Sequence, residues 1–308
     1  MKAVFMGTPD FSVPVLDALV KAGHEVLAVV TQTDKPKGRG KEMQPTPVKE
    51  AALKHNIPVY QPLKVREEEF VEKLKEMNPE VIVVVAYGQV LPKSILDIPK
   101  YGCINVHASL LPKYRGAAPI QRVVLDGEKV TGVTTMYMEE GLDTGDMLLK
   151  EEITLDEKET YGSLHDRLKE LGGPIAVKTL KALEGGTAVR IKQNDEEANY
   201  AKMIKKSMGK IDFNDEAVVI ERLIRGMNPW PSAYTSFNGK TLKIWDADVI
   251  EKEYDGVPGE IVEIDKDSFV IKTGKGALKI LSLQLEGKKR MDTDAFLRGV
   301  KIEKGVIL

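Results

Sequence analysis

Val81-Ile82-Val83-Val84-Val85-Ala86 is an apolar run of mostly β-branched residues without a single polar side chain. Strands with one face in water alternate apolar and polar residues, whereas strands covered on both faces do not. The run is far too short to cross a membrane, which takes about 20 apolar residues. Residues 81–86 are therefore predicted to form a buried strand of a parallel sheet.

Strand-like and helical segments alternate on both sides of this run. Short apolar runs at Lys2–Met6, Glu25–Thr31 and Gly102–His107 predict further strands. Apolar residues at helical spacing in Pro14–Ala22 and Glu67–Met77 predict helices between them. Alternation of this kind is typical of α/β proteins, so a Rossmann-like, mostly parallel sheet is predicted for the N-terminal domain.

The first strand–helix turn carries Gly7-Thr8-Pro9-Asp10-Phe11. Dinucleotide-binding proteins have the pattern G-x-G-x-x-G at this place, because the backbone must approach a pyrophosphate closely. Here Pro9 removes a backbone donor and Phe11 is bulky, so a nicotinamide cofactor is not expected. A structural turn and a substrate contact both remain open for this segment.

The pattern of apolar residues changes after Asn194, from a long helical segment to short strand-like ones. A long helix is predicted over 160–184, interrupted at Gly172-Gly173-Pro174, whereas short alternating segments separated by glycine turns dominate from Pro229 onward. About five strands in so short a stretch predict a smaller C-terminal OB-like β-barrel domain. The predicted organisation is a catalytic domain at 1–194, a linker at 195–205 and the OB-like domain at 206–308.

Composition limits the possible functions. The 308 residues are 42% hydrophobic and 30% charged, with a formal net charge of −2, which is typical of a globular protein and not of a general nucleic-acid binder. One cysteine excludes a disulfide framework and a multi-cysteine metal site. The amino terminus has no signal-peptide pattern. A soluble cytoplasmic protein without a membrane partner is expected, and nothing in the sequence demands more than a monomer.

Polar groups suited to acyl chemistry follow the strand at residues 102–107. Asn105 and His107 are two residues apart, so in a strand both side chains point to the same face, roughly 7 Å apart. Asp143 lies downstream on a loop flanked by Gly141 and Gly145. An amide, an imidazole and a carboxylate together can stabilise an oxyanion and transfer a proton, so Asn105, His107 and Asp143 are predicted to be catalytic.

These residues also have other interpretations. A lone histidine is more often a core residue bonded to a backbone carbonyl, but Asn105 on the same face and Asp143 favour catalysis by His107. Cys103 and His107 could form a nucleophile pair, although Cys103 begins the strand and a buried thiol is favoured. Asp143 and Asp146 are a weak metal signal, and the four histidines are widely spread, so no metal site is predicted.

Two further segments suggest ligand contacts. Ser109-Leu110-Leu111-Pro112 reads either as a rigid apolar loop suited to a flat heteroaromatic ligand or as simple loop packing. The stretch at 34–41 is basic and rich in glycine and proline, and further basic clusters lie at 202–210 and 288–290. Each cluster alone is usually a solvated charge run, but together with an OB-like domain they favour RNA binding.

At this point the sequence resembles the methionyl-tRNA formyltransferase family. The resemblance is carried by Gly7–Phe11, Ala86-Tyr87-Gly88, Cys103–Gln121 and Gly141–Asp146, and it extends to Asn228-Pro229-Trp230-Pro231 and Leu281-Ser282-Leu283-Gln284. It therefore covers essentially the full chain, with no departure at the catalytic positions. The Asn-x-His strand followed by Ser-Leu-Leu-Pro is shared by enzymes of this fold that use 10-formyl-tetrahydrofolate.

The resemblance implies formyl transfer from 10-formyl-tetrahydrofolate to the α-amino group of methionine on initiator tRNA. It implies that Ser109, Leu110, Leu111 and Pro112 bind the folate. It also implies that the basic loop enters the acceptor end of the tRNA while the second domain holds the stem. The tRNA contacts expected on this basis are Lys35, Lys37, Arg39, Lys41, Lys205 and Lys206.

Two alternative functions stay open from the sequence. One is another 10-formyl-tetrahydrofolate-dependent formyltransferase or hydrolase, which would share the N-terminal domain and differ in its acceptor. The other is a non-catalytic RNA-binding module on an inactive α/β scaffold. The basic C-terminal clusters argue against the first alternative, and the joint presence of Asn105, His107 and Asp143 argues against the second.

Overall fold

The structure is a computed structural model, and it describes residues 1–37 and 42–308. In these residues the strands, in chain order, are β1 (Lys2–Gly7), β2 (Glu25–Val30), β3 (Lys35–Lys37), β4 (Glu42–Gln44), β5 (Val59–Tyr60), β6 (Val81–Val85), β7 (Cys103–His107), β8 (Arg115–Gly116), β9 (Val130–Tyr137), β10 (Met147–Thr154), β11 (Tyr200–Ala201), β12 (Ala233–Phe237), β13 (Lys240–Ile250), β14 (Ile261–Ile264), β15 (Phe269–Lys272), β16 (Ala277–Leu285) and β17 (Met291–Asp292). The α-helices are α1 (Val13–Lys21), α2 (Pro47–Lys54), α3 (Glu68–Met77), α4 (Lys93–Leu96), α5 (Pro119–Asp126), α6 (Tyr161–Glu184), α7 (Ala217–Gly226) and α8 (Thr293–Gly299).

The chain forms two compact units that interleave along the sequence. The first unit comprises Met1–Pro119, Val130–Thr154 and His165–Ala201. The second comprises Ile120–Lys129, Leu155–Leu164 and Lys202–Leu308. Within the described residues no helix combines the length and apolar character needed to traverse a lipid bilayer.

A seven-stranded sheet organises the first unit. Its order is β10-β9-β7-β6-β1-β2-β5. The strands from β7 to β5 are parallel, and near one edge β9 runs antiparallel to both of its neighbours, β7 and β10. All five residues of β6 are buried, as the unbroken β-branched run predicts. The prediction of an α/β fold with a mostly parallel sheet is confirmed.

Local sequence explains where the helices of this unit begin and end. The α2 helix follows Thr46, whose hydroxyl accepts a hydrogen bond from the Lys49 amide at 3.1 Å, and Pro47 occupies the first turn. The α3 helix ends after Met77, where Asn78 adopts a left-handed conformation with φ of 47°. The apolar face of α3 packs through Phe70, Val71 and Leu74 into the core cluster that includes β6 residues.

The predicted interruption of the long helix is wrong, because α6 runs without a break from Tyr161 to Glu184. The glycines serve close packing instead. A Cβ atom on Gly172 would lie 2.9 Å from Cγ2 of Val15, and one on Gly173 would lie 2.8 Å from Cβ of Ala18. The absence of side chains at 172 and 173 therefore lets α6 approach α1 closely.

The second unit contains a six-stranded antiparallel sheet. Its order is β12-β13-β16-β15-β14, with β17 paired to β16. The inward residues of these strands pack with Ile220 and Ile224 of α7 and Phe296 of α8 in one apolar core. The prediction of a smaller C-terminal domain built from short strands is confirmed, and the strands form an antiparallel sheet.

Leu74→Ala is expected to lower the free energy of unfolding by about 2–5 kcal/mol, because Leu74 is fully buried and the truncation leaves a cavity in the core. Urea denaturation followed by circular dichroism measures the loss. Leu53→Ala is the matched control, since Leu53 also lies on a helix of this unit but is 58% exposed. The control should change stability by no more than roughly 0.5 kcal/mol. Equal losses in the two variants would contradict the assigned core.

Candidate active site

His107 is the last residue of β7, and its imidazole is fixed by a backbone carbonyl. Its Nε2 lies 2.9 Å from the carbonyl oxygen of Tyr114, in a buried contact. Because a carbonyl oxygen can only accept, Nε2 must carry a proton and donate it. Nδ1 is therefore the nitrogen that remains for exchange of protons with another group.

Asp143 approaches the other side of the same imidazole. Its Oδ2 lies 3.7 Å from Nδ1 of His107, within the range of an ion pair but beyond a hydrogen bond. The two side chains therefore form no direct hydrogen bond at this separation. Oδ2 instead accepts the backbone N–H of Gly116 at 2.7 Å.

Asn105 completes the cluster; it lies two residues before His107, on the same face of β7. Its Nδ2 lies 3.5 Å from Oδ1 of Asp143, and the residue is partly exposed. A primary amide has two N–H groups, so Asn105 can hold the carboxylate with one and donate the other to a bound oxygen. The structure therefore brings Asn105, His107 and Asp143 together, as the i, i+2 spacing and the glycine-flanked loop predict.

The main chain at 114–116 is the frame for both His107 and Asp143. Tyr114 and Gly116 have positive φ values of 61° and 109°, and the segment includes the short strand β8. β8 pairs in parallel with β11, in the register Arg115 to Tyr200 and Gly116 to Ala201. A Cβ on Gly116 would lie 3.1 Å from the carbonyl oxygen of Ala201, so the two strands meet closely there.

Gln193 and Arg115 support the Asp143 loop, and sequence reasoning missed both. The buried Gln193 amide donates to the carbonyl oxygens of Asp143 and Gly145, each at 2.8 Å. Arg115, also buried, donates from Nε to Oε1 of Gln193 at 3.0 Å. Residue 193 lies in a segment with no periodic pattern, so no signal in the sequence pointed to it.

The loop predicted to bind folate is closely packed against β9. The Ser109 hydroxyl donates to the Lys113 carbonyl at 2.7 Å, and the Thr134 hydroxyl donates to the Ser109 carbonyl at 2.6 Å. Ser109, Leu111 and Pro112 are buried, whereas Leu110 is partly exposed. Of these four side chains, Leu110 offers the most surface to a ligand.

The basic residues predicted to contact tRNA lie on two different parts of the chain. Lys35 is exposed and, like the backbone of Lys37, belongs to the β3–β4 hairpin, which the sequence did not predict. Arg39 and Lys41 lie outside the described residues. Lys205 and Lys206 are exposed near the start of the Lys202–Leu308 segment of the second unit.

A polar network anchors the base of the β3–β4 hairpin. The ammonium group of Lys49 lies 2.7 Å from Oδ2 of Asp34, and Gln61 donates to Oδ1 of Asp34 at 2.7 Å. The hydrogen bonds from Lys49 and Gln61 lower the pKa of the Asp34 carboxyl below its usual value. Asp34 therefore stays ionised at neutral pH and keeps both partners at the root of the hairpin.

Cys103 lies in the core at the opposite end of β7 from His107. Its Sγ is 3.9 Å from the Ile95 carbonyl oxygen, and burial raises the pKa of the thiol to about 12. A thiol with this pKa is protonated at neutral pH and is not a nucleophile. The interpretation of Cys103 as a buried small residue is therefore supported.

Comparison with known proteins matches two consecutive parts of the chain to formyl transferase family models. A family model described as formyl transferase matches residues 1–180, and one described as formyl transferase, C-terminal domain, matches residues 203–301. A methionyl-tRNA formyltransferase of Agathobacter rectalis is 59% identical over 305 residues, covering 99% of this chain and 98% of the relative. One of Lachnospira eligens is 57% identical over 313 residues, covering 100% of this chain and 99% of the relative.

A solved structure has the same fold at much lower sequence identity. The N-formyltransferase of Helicobacter canadensis, solved with folinic acid and dTDP-3-aminofucose, superimposes with a TM-score of 0.68 at 20% identity. The match covers 94% of this chain and 100% of that one. At this identity the likeness extends to the fold alone.

The Cys103 thiol is expected to resist a thiol reagent such as DTNB at pH 8 while the protein is folded. The thiolate is the reacting form, so a pKa near 12 suppresses it by about three orders of magnitude relative to a free cysteine of pKa about 8.5. Reaction should become fast in 8 M urea, and absorbance at 412 nm follows both rates. Rapid labelling of the native protein, at the rate of a free thiol, would rule out the assigned burial.

Proposed function

The chain belongs to the methionyl-tRNA formyltransferase family, and we infer that it transfers the formyl group of 10-formyl-tetrahydrofolate to the α-amino group of methionine on initiator tRNA. The site observation that carries this inference is the convergence of Asn105, His107 and Asp143 on one small space beside the end of β7. The identity of over half with its relatives along nearly the whole chain supports the same acceptor.

The reaction forms one C–N bond and breaks another at the formyl carbon. The neutral α-amino group attacks this carbon, and negative charge develops on the formyl oxygen. An α-amino group has a pKa of about 7.7–8.0, so a usable neutral fraction exists near pH 7 without a strong base. Asn105 and protonated His107 donate hydrogen bonds to the developing oxyanion, and one such donor typically lowers the barrier by about 3–4 kcal/mol.

Proton transfer accompanies the collapse of the tetrahedral intermediate. Nε2 of His107 is held by the Tyr114 carbonyl, which supports Nδ1 as the acid that protonates the leaving folate nitrogen. Asp143 accepts the proton of the attacking amine through water. Nδ1 and Oδ2 are 3.7 Å apart, too far for a direct hydrogen bond, so return of that proton from Asp143 to Nδ1 through water restores the starting state.

The folate and tRNA contacts are assigned residue by residue. The Ser109–Pro112 loop shapes the folate site, with Leu110 as its most accessible side chain. Lys35, Lys37, Arg39 and Lys41 approach the acceptor end of the tRNA, and Lys205 and Lys206 contact its backbone, because clustered cations favour phosphate.

The chain organisation supports a division of labour. Catalysis is assigned to residues 1–194 and tRNA binding to residues 206–308. The linker at 195–205 connects them and also contributes β11, which pairs with β8 beside the site. The antiparallel sheet of the second unit supports an OB-like barrel, a scaffold suited to RNA. The enzyme acts in the cytoplasm as a monomer, and it needs no metal.

Formylation assays test the proposed function. The purified protein, 10-formyl-tetrahydrofolate and methionyl initiator tRNA should yield formyl-methionyl-tRNA with a kcat/KM well above that for methionine methyl ester. Uncharged tRNA serves as the control without an acceptor amine. A higher kcat/KM for an amino sugar nucleotide would favour another formyltransferase, and release of formate without an acceptor would favour a hydrolase.

Asn105→Ala, His107→Ala and Asp143→Ala are each expected to lower the single-turnover formylation rate by about 10²–10³-fold, since each removes a donor or a proton carrier. Asp17→Ala is the control, because Asp17 pairs with the exposed His55 elsewhere on the surface. Circular dichroism should show all four variants folded. A near-normal rate in any one of the three site variants would remove that residue from the mechanism.

Replacing Arg39 and Lys41 together by alanine is expected to raise the KM for tRNA and leave the KM for folate unchanged. Loss of two phosphate contacts should reduce the slope of log KM against log salt concentration by roughly 1–2. The control is Lys21→Ala with Lys54→Ala, which removes the same charge from exposed helix positions. Identical tRNA kinetics in both double variants would disprove a contact at residues 39 and 41.

A further inference from the structure

Gln193 holds the main chain of the Asp143 loop at two points. Its Nε2 donates to the carbonyl oxygens of Asp143 and Gly145, so the two amide protons are both used. The loop gains from such support, since Asp143 adopts a left-handed backbone with φ of 53°, which aspartate tolerates better than most residues but less readily than glycine. Gly145 is also closely packed, because a Cβ there would overlap the Tyr137 carbonyl oxygen.

Arg115 fixes the orientation of the Gln193 amide. Its Nε–H donates to Oε1, so Nε2 must point toward the two carbonyl groups. The flipped amide would place Oε1 against two carbonyl oxygens and its NH₂ group against the guanidinium. The other end of the guanidinium donates to Oδ1 of Asp195 at 2.8 Å, so Arg115 is held in turn.

The same short strand also binds the carboxylate of Asp143. Gly116, which follows Arg115, donates its N–H to Oδ2. The Asp143 carboxylate is thus bound by the Gly116 N–H of β8, and the Asp143 carbonyl oxygen is bound by the Gln193 amide. Arg115, also in β8, orients that amide. Both contacts set the position of Oδ2 relative to Nδ1 of His107.

We propose that Arg115 and Gln193 are positioning residues that set the turnover number by holding the Asp143 carboxylate beside His107. This proposal rests on the proposed function for its kinetic consequence. Gln193 binds the main chain of the Asp143 loop and Arg115 binds Gln193, so both residues act through Asp143. A displacement of about 1 Å in a catalytic group can lower a rate on the order of 100-fold, so the effect is large enough to measure.

Gln193→Leu fills nearly the same volume and removes both donors. The variant is expected to lower kcat for formylation by about 10–100-fold and to leave the KM for folate and tRNA within roughly twofold. Gln193→Glu is a second variant, which keeps the acceptor for Arg115 but sets a carboxylate against two carbonyl groups. It should show the same split between kcat and KM, and it remains informative if the leucine variant folds poorly.

A double-mutant cycle separates positioning from a general loss of stability. If Gln193 acts through Asp143, adding Gln193→Leu to Asp143→Ala should lower kcat no further. The control is Arg190→Ala, which removes an exposed tether of the same loop, the ion pair from Arg190 to Asp146 at 2.8 Å. This variant should keep kcat within twofold of the wild type.

An NMR measurement without substrate tests this proposal independently of the proposed function. The amide proton of Gly116 is bonded to the Asp143 carboxylate, so its NMR shift should move upfield in Asp143→Ala and move in the same direction in Gln193→Leu. If the wild type fails to formylate methionyl-tRNA, the proposed function falls while the NMR test still decides this one. An unmoved Gly116 resonance in Gln193→Leu, a wild-type kcat in both Gln193 variants, or multiplied effects in the double variant would overturn the proposal.

Discussion

Two hydrogen bonds from one turn of main chain govern the site: the Tyr114 carbonyl accepts His107 Nε2, and the Gly116 amide donates to Asp143 Oδ2. The Tyr114 carbonyl and the Gly116 amide are only two residues apart, so the same short backbone segment positions both the imidazole and the carboxylate. That segment is in turn fixed by the pairing of β8 with β11. The chemistry therefore depends on a parallel pair of two-residue strands, which no side-chain pattern in the sequence reveals.

The parallel sheet supplies the other half of this arrangement. β7 lies between β6 and the antiparallel β9; the pairing with β6 reaches Asn105, and His107 itself pairs with Thr134 of β9 before the 109–116 loop begins. Thr134 of β9 binds the Ser109 carbonyl and accepts the Leu111 amide at 3.2 Å, which ties this loop back to the sheet. The position of His107 and the course of the loop that holds it are thus set by neighbouring strands.

Periodic features were predictable from the sequence, and contacts between irregular segments were not. The β-branched run of β6 identified a buried parallel strand, and the two-residue spacing placed Asn105 and His107 on one face. The link from Gln193 to Asp143 depends on two loops far apart in sequence, so neither propensity nor spacing could indicate it. The predicted break at Gly172-Gly173-Pro174 was wrong because it rested on local sequence preference, which favours an interruption there. Packing against α1 requires small residues in a continuous helix, and local preference does not report that contact.

The bond between His107 and the Tyr114 carbonyl also restricts how the imidazole can handle protons. In a relay, a histidine takes a proton at one ring nitrogen and releases it from the other. In His107 only Nδ1 can exchange protons, because Nε2 donates its proton to the Tyr114 carbonyl oxygen, which does not titrate. Arrival and departure must then alternate at the same atom, which imposes an order on them and prevents a proton wire from running through the ring.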